Sequence, residues 1–219
     1  MLIKIGTPVL AMHVFNSLGF MFQNRLVNSF GVVAAAAFAI GFLIMDLADA
    51  TMWGITQPVA IMIGQNLGAG NLERSKKIAW RTVLFVLVTT YVGVVLVYSI
   101  REWVIWAFTD NLEIYAEALR FINIFMWSLP FFAVFFVAMS VGRGSGRTLV
   151  PTIIGFIRIW GLRIALGSIL AYILNMEIIG VWVAMTISNF IGGIVSILWI
   201  KYGNWNSPII KRTLPTHSR

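Results

Sequence analysis

The 219-residue chain is 59% hydrophobic and only 11% charged, whereas a soluble domain has about 25% charged residues. One core of this size cannot bury so many apolar side chains, so the composition excludes an ordinary soluble protein and predicts wide contact with lipid. The chain has no cysteine, which excludes disulfides, thiolate metal sites and cysteine nucleophiles. The net charge of +8 indicates membrane topology rather than nucleic-acid binding, because most of the basic residues flank apolar segments.

Six apolar segments are long enough to cross a bilayer, which takes about 20 helical residues. The sequence therefore predicts an all-α integral membrane bundle of six transmembrane helices. Residues 1–201 form this lobe, and residues 202–219 form a basic cytoplasmic tail. The first segment lacks a short apolar region followed by a cleavage site, so it is expected to remain as a helix. The predicted spans are residues 5–30, 33–66, 78–100, 118–141, 151–174 and 179–200.

The stretch between the third and fourth spans is polar enough to leave the membrane. Residues 101–117 carry Trp103, Trp106 and Phe108 among charged side chains. Aromatic residues of this kind anchor a chain at the membrane surface. We therefore expect a short amphipathic helix there.

The distribution of lysine and arginine predicts the orientation of the chain. If the N-terminus is cytoplasmic, eleven of these residues lie on that side and three on the other, and the three are Arg25, Arg101 and Arg120. Cytoplasmic loops of membrane proteins carry the excess of positive charge. The pattern predicts a multi-pass protein of the cell membrane with both termini in the cytoplasm.

A polar stripe interrupts the second span. Asp46, Asp49, Trp53 and Gln57 recur at helical spacing and share one face. A charge near the bilayer centre costs about 2.5–3.5 kcal/mol and is by default a candidate functional group. Such a carboxylate can bind a proton, a sodium ion or an organic cation. The alternative is a structural ion pair with an arginine of the fifth span.

Other polar side chains inside the spans have simpler explanations. His13 and Asn16, with Ser17 and Asn24, form a matching stripe on the first span, which either bonds neighbouring helices or lines a cavity facing the second span. His13 has no partner at metal-ligand spacing, and no nucleophile–base set appears. We therefore expect no metal, no other cofactor and no enzymatic activity.

Two arginines in the fifth span need an explanation at membrane depth. Arg158 and Arg163 are five residues apart, which places them on different faces of an α-helix. Arg158 is expected to reach the cytoplasmic surface, whereas Arg163 lies deeper and requires a partner. A structural role is expected for both.

The most specific stretch closes the second span, where residues 64–71 read GQNLGAGN. Its glycines permit tight turns and close helix contact. It is not a phosphate loop, because the Gly-Lys-Ser/Thr ending is missing and no strand precedes it. The run resembles the signature of the multidrug and toxic compound extrusion (MATE) family, with Gly64, Gln65, Gly68, Gly70 and Arg163 as structural motif residues. Further stretches that resemble the family are IGTP at 5–8, GSGRTLVP at 144–151, WGLRI at 160–164, and GVWVAM at 180–185 with Asn189.

This resemblance implies a twelve-helix fold of two six-helix lobes around a central cavity. Twelve spans need about 240 residues, so the chain resembles one lobe, and the details favour the C-terminal one. The implied function is half of a secondary active multidrug efflux transporter that exchanges a proton or sodium ion for a drug. The implied partners are the lipid bilayer, small amphipathic or cationic drugs, and a second lobe supplied by a separate chain or a second copy.

The resemblance implies a coupling carboxylate in the first or fourth helix of this lobe in some members of the family, and in the N-terminal lobe in others, but the first and fourth spans of this chain have none. Asp46 and Asp49 are therefore the acidic candidates, with Trp53, Gln57, His13 and Asn16 expected to line the cavity. Two alternatives stay open. One is a flippase for lipid-linked precursors, which needs a cationic cavity, and the other is an inactive or scaffolding membrane fragment.

Overall fold

The computed structural model describes residues 2–206, apart from the side chains of residues 2–9 and 11–13. Apart from the short turns between helices, this part of the chain is helical, and it has no strand. Helices α2 to α6 are each long and apolar enough to cross a membrane, and α1, with 27 residues, is about 40 Å long. The prediction of an all-α bundle of six membrane helices is confirmed. The helices are α1 (Leu2–Asn28), α2 (Val32–Gly68), α3 (Leu72–Trp106), α4 (Leu112–Ser145), α5 (Leu149–Ile173) and α6 (Glu177–Tyr202).

Short turns connect the helices, so neighbours in sequence run antiparallel. The chain therefore has a basic end and an acidic end. The basic end carries Arg74, Lys76, Lys77, Arg143 and Arg147, and the acidic end carries Glu102, Asp110, Glu113 and Glu177. Of the predicted cytoplasmic tail, residues 202–219, the part from residue 207 onward lies outside the described residues.

The expected surface helix at residues 101–117 is not formed. Residues 101–106 continue α3, and α4 begins at Leu112 after a short turn. The Asn111 side chain accepts hydrogen bonds from the backbone N–H groups of Glu113 and Ile114 at 2.8 and 3.2 Å. This N-cap satisfies two of the free donors of the first turn, so the helix starts there in line with its membrane span.

Helix α4 lies at the centre of the bundle and packs against α2, α3 and α6. Its buried aromatic side chains contact these neighbours. Trp182 of α6 stacks on Phe38 of α2 with ring centroids 5.6 Å apart and contacts Phe121 of α4 at 4.4 Å. Its indole N–H donates to Glu117 Oε1 at 2.8 Å. This aromatic cluster joins three helices near the acidic end.

Glycines allow α2 and α4 to cross closely at the basic end. A Cβ on Gly64 would lie 3.2 Å from the carbonyl oxygen of Gly144, and a Cβ on Gly144 would lie 2.4 Å from that of Ala60. In the same motif, Gln65 and Gly68 are exposed at the end of α2. Gly70 has a φ of 81°, a conformation that favours glycine, and it turns the chain into α3.

Candidate functional site

The fifth helix is largely π-helical. Residues Ile157–Ala165 and Ile169–Ile173 follow the wider π-helical turn, in which backbone hydrogen bonds join residues five apart. The expectation that Arg158 and Arg163 lie on different faces is therefore wrong. In this geometry a five-residue separation brings both side chains to the same side of α5.

Both arginines bind one amide oxygen inside the bundle. Arg158 Nη1 and Arg163 Nη2 donate to Oδ1 of Asn189 on α6 at 3.1 and 2.9 Å. Arg163 Nε also donates to Ser188 Oγ at 3.0 Å, and Asn189 Nδ2 donates to Ser128 Oγ at 2.9 Å. These five residues, which we term the arginine network, join α4, α5 and α6.

The arginine network lies inside the lobe rather than at a membrane surface. Arg158 is 4% exposed and Arg163 is 0% exposed. The Arg158 guanidinium lies 4.7 Å from the ring centroids of Phe132 and Phe135. A Cβ on Gly192 would lie 2.7 Å from Arg158 Cδ, so the glycine makes room for this side chain. The expectation that Arg158 reaches the cytoplasmic surface is therefore wrong.

The predicted polar stripe of α2 lies along the border of that helix's buried face. Asp49 and Trp53 are partly buried, whereas Asp46 and Gln57 are exposed. The Trp53 ring packs edge-on against Phe136 at 5.9 Å. The stripe therefore lies at the edge of an exposed face of the lobe, with its middle members partly covered.

A positive charge already lies against the aromatic member of this stripe. The Arg143 guanidinium is 5.0 Å from the centroid of the Trp53 ring and donates from Nη2 to Ser140 Oγ at 2.9 Å. Cations are attracted to the face of an indole at this distance. One side of Trp53 is thus suited to a cation and is occupied by an arginine of α4.

Asp49 and the arginine network act on one another without direct contact. In the described part of the chain, no ion pair within 4.0 Å joins Asp46 or Asp49 to Arg158 or Arg163. Asp49 nevertheless lies within electrostatic reach of both arginines. Its Oδ1 is buried without a hydrogen-bond partner. The anticipated ion pair is therefore not closed in this conformation.

The first helix carries a second set of polar groups. Asn16 is partly buried, and Ser17 and Asn24 are exposed; the side chain of His13 lies outside the described residues. Gln23, which sequence reasoning passed over as a site residue, is buried and donates from Nε2 to Met185 Sδ at 3.3 Å. Its position inside an apolar span was the signal available.

A family model described as MatE matches residues 8–169, which is most of the chain. The chain belongs to the MatE family. It is 26% identical over 225 aligned positions to the probable multidrug resistance protein NorM of Thermotoga maritima, covering 100% of this chain and 46% of that protein. It is 25% identical over 183 positions to the probable multidrug resistance protein YoeA of Bacillus subtilis, covering 84% of this chain and 40% of that protein.

The fold of this MatE lobe agrees with a solved structure, that of the MATE transporter ClbM in complex with Rb⁺. The TM-score is 0.84 at 22% sequence identity, over 92% of this chain and 48% of that one. The chain thus spans less than half the length of NorM, YoeA and ClbM. The prediction that it corresponds to about half of a MATE transporter is confirmed.

The MatE lobe also contains an apolar cavity of about 220 Å³ between α2, α3 and α4. Its lining includes Leu47, Thr51 and Thr90 and has no charged side chain. At 100° per residue, its α2 residues lie on roughly the opposite side of the helix from the Asp46–Gln57 stripe. The cavity is therefore separate from the candidate site.

No cluster of three or more His, Cys, Asp or Glu side chains suited to a metal occurs within residues 14–206.

Proposed function

We propose that this MatE chain is one half of a secondary active multidrug efflux transporter that exchanges an inflowing cation for a drug. The coupling cation is a proton or a sodium ion, and a second six-helix lobe completes the transporter as a separate polypeptide or a second copy. The relatives named as probable multidrug resistance proteins support this assignment. The reaction is movement of solutes, so no catalytic residue is assigned.

One observation carries the proposal: exposed faces of α1 and α2 carry polar side chains at membrane depth. Asp46 lies near the middle of α2 and is exposed, as are Gln57 on α2 and Asn24 on α1. An ionisable group facing hydrocarbon costs about 2.5–3.5 kcal/mol, so such groups face a bundle interior or a water-filled cavity. We infer that the exposed polar faces of α1 and α2 line a wet cavity that a second lobe covers.

Asp46 and Asp49 would carry the exchange in this cavity. A carboxylate binds the incoming cation and the cationic drug in turn, and rocking of the two lobes exposes it to one side of the membrane at a time. One face of the Trp53 ring already holds Arg143, and the other would pack against an organic cation, while Gln57, Asn16 and His13 would line the wall. The arrangement suits amphipathic cations better than anions.

The orientation follows from the charge pattern. The basic end of the bundle is proposed to be cytoplasmic, with both termini on that side of the cell membrane. Exposed basic side chains such as Lys76 and Lys77 lie at this end, where they would meet anionic lipid headgroups. The acidic end would face outward.

A flippase for lipid-linked precursors is the weaker alternative. It requires cationic groups open to a pyrophosphate, but Arg158 and Arg163 are buried and hydrogen-bonded to Asn189. An inactive or scaffolding fragment remains the other alternative, and it predicts no ligand binding and no transport.

Reconstitution tests the proposal directly. The chain is placed in liposomes with and without its candidate second lobe, and ethidium efflux is followed under a sodium gradient and under a pH gradient. We expect efflux only when both lobes and one of the gradients are present. The double variant Asp46→Asn/Asp49→Asn should abolish it, while Asp110→Asn at the acidic end should not. Efflux that survives the double substitution would reject the assignment of the two aspartates.

A further inference from the structure

Among the buried side-chain atoms of the described residues that lack a hydrogen-bond partner, three belong to groups of opposite charge on α2 and α5. They are the acceptor Asp49 Oδ1 and the donors Arg158 Nε and Arg163 Nη1. A buried polar group without a partner is costly. Acceptor and donors also act on one another electrostatically. The groups needed for a closed ion pair are thus present but separated.

The charge within the arginine network is not balanced by its hydrogen bonds. Asn189 Oδ1 is shared by two guanidinium groups, and an amide oxygen carries no net charge. Arg158 and Arg163 repel one another inside the bundle. Asp49 is the acidic side chain that acts on both. An ionised Asp49 leaves the group with one net positive charge, and a cation bound to Asp49 raises it to two.

We propose that Arg158 and Arg163 act as an internal cation that competes with the transported cation for the Asp49 carboxylate, an inference that rests on the proposed function. Without a bound cation, the carboxylate is drawn toward the guanidinium groups. An entering proton, sodium ion or drug displaces them. The arginine charge then repels the bound cation and favours its release when the cavity opens to the other side.

The local structure of α5 provides a means for this change. Both arginines lie on the π-helical segment Ile157–Ala165, and π-helical turns, which are rare, are frequently found at functional sites. Phe132 and Phe135 hold Arg158 by ring contacts rather than by an ion pair. A small shift of this segment would move both guanidinium groups together, because both arginines belong to it, and would loosen their shared hydrogen bonds to Asn189 on α6.

Substitution of Arg163 separates competition from a merely structural role. Tetraphenylphosphonium binding to the full chain in lipid nanodiscs is measured by calorimetry. At an effective dielectric constant of about 20, removing a repelling charge that is near the cation but not in contact with it changes the cation's affinity roughly tenfold. We therefore expect Arg163→Gln to lower the Kd for this cation about tenfold, while Arg163→Lys, which keeps the charge, stays near the wild-type Kd. A structural arginine predicts the opposite sign, so a raised or unchanged Kd in Arg163→Gln overturns the proposal.

A ligand-free measurement tests the electrostatic coupling of Asp49 and Arg163 without transport. Thermal unfolding is compared for Asp49→Asn, Arg163→Gln and their combination. We expect the two substitutions to be non-additive, since each removes the other's charge partner. Lys76→Gln with Asp49→Asn serves as the control pair and should be additive, because Lys76 is exposed at the basic end.

The two measurements separate this inference from the proposed function. Cation binding by the wild type together with an additive Asp49–Arg163 cycle overturns the internal cation and leaves the transport proposal standing. Absence of wild-type binding together with a coupled cycle removes Asp49 as a cation site, which overturns both the proposed function and this inference and leaves only the electrostatic coupling of Asp49 and Arg163. Coupling together with tighter binding in Arg163→Gln supports both.

Discussion

Asn189→Leu removes the shared anchor of the arginine network while keeping the number and branching of the side-chain heavy atoms. Three hydrogen bonds are lost, with lengths of 3.1, 2.9 and 2.9 Å to Arg158, Arg163 and Ser128. At the membrane average of about 0.6 kcal/mol per bond they sum to about 2 kcal/mol. If each arginine bond is worth about 2 kcal/mol, as bonds to charged groups are, the loss approaches about 5 kcal/mol. We expect destabilisation within this range.

The assay is reversible unfolding of the purified chain in mixed micelles, followed by tryptophan fluorescence. Asn123→Leu is the matched control, because Asn123 is an exposed residue of α4, and its stability should stay near that of the wild type. Asn189→Asp tests the charge argument, since it supplies the missing negative charge and should be at least as stable as the wild type. A stability of Asn189→Leu within about 0.5 kcal/mol of the wild type, the range of ordinary surface substitutions, would refute the reasoning.

Further predictions concern packing, and each is measured by thermal unfolding in detergent. In Gly144→Ala the new Cβ would lie 2.4 Å from a carbonyl oxygen of α2, so we expect a loss of about 1–3 kcal/mol from overpacking. Gly54→Ala, where no atom lies within 4 Å, should be neutral or stabilising, and an equal effect of the two changes would contradict the close crossing. Trp182→Phe loses the hydrogen bond to Glu117 and should cost about 1–3 kcal/mol, whereas Trp103→Phe at an 81% exposed position should cost nothing measurable.

The helices could be predicted from sequence because their signal is long and redundant. A stretch of about twenty predominantly apolar residues specifies a membrane helix whatever its neighbours are. The Asp46–Gln57 stripe was equally accessible, since α-helical spacing holds in α2 and places its members along one border of the buried face. The boundary between α3 and α4 could not be predicted, because the N-cap that Asn111 provides outweighed the polarity of the residues around it.

The arginine network could not be derived because it depends on a departure from the α-helix. Arg158 and Arg163 are brought together by the π-helical turn of α5, which leaves no periodic signature in apolar residues. Asn189 stood in a stretch that resembled the family, but its partners lie 26 and 31 residues away. Ser128 and Gly192 carry no signal of their own, since one is a lone serine and the other one of 19 glycines.

Cysteine labelling tests the central claim, that the exposed polar faces of α1 and α2 line a wet cavity. The chain contains no cysteine, so single cysteines can be placed without removing others. Asp46→Cys and Val92→Cys put a thiol on exposed positions near the middle of α2 and α3. Only a thiol that reaches water ionises and reacts with a charged maleimide. The account predicts that in liposomes the thiol at position 46 is labelled and the thiol at position 92 is not. If neither thiol reacted with the maleimide, the account would be contradicted.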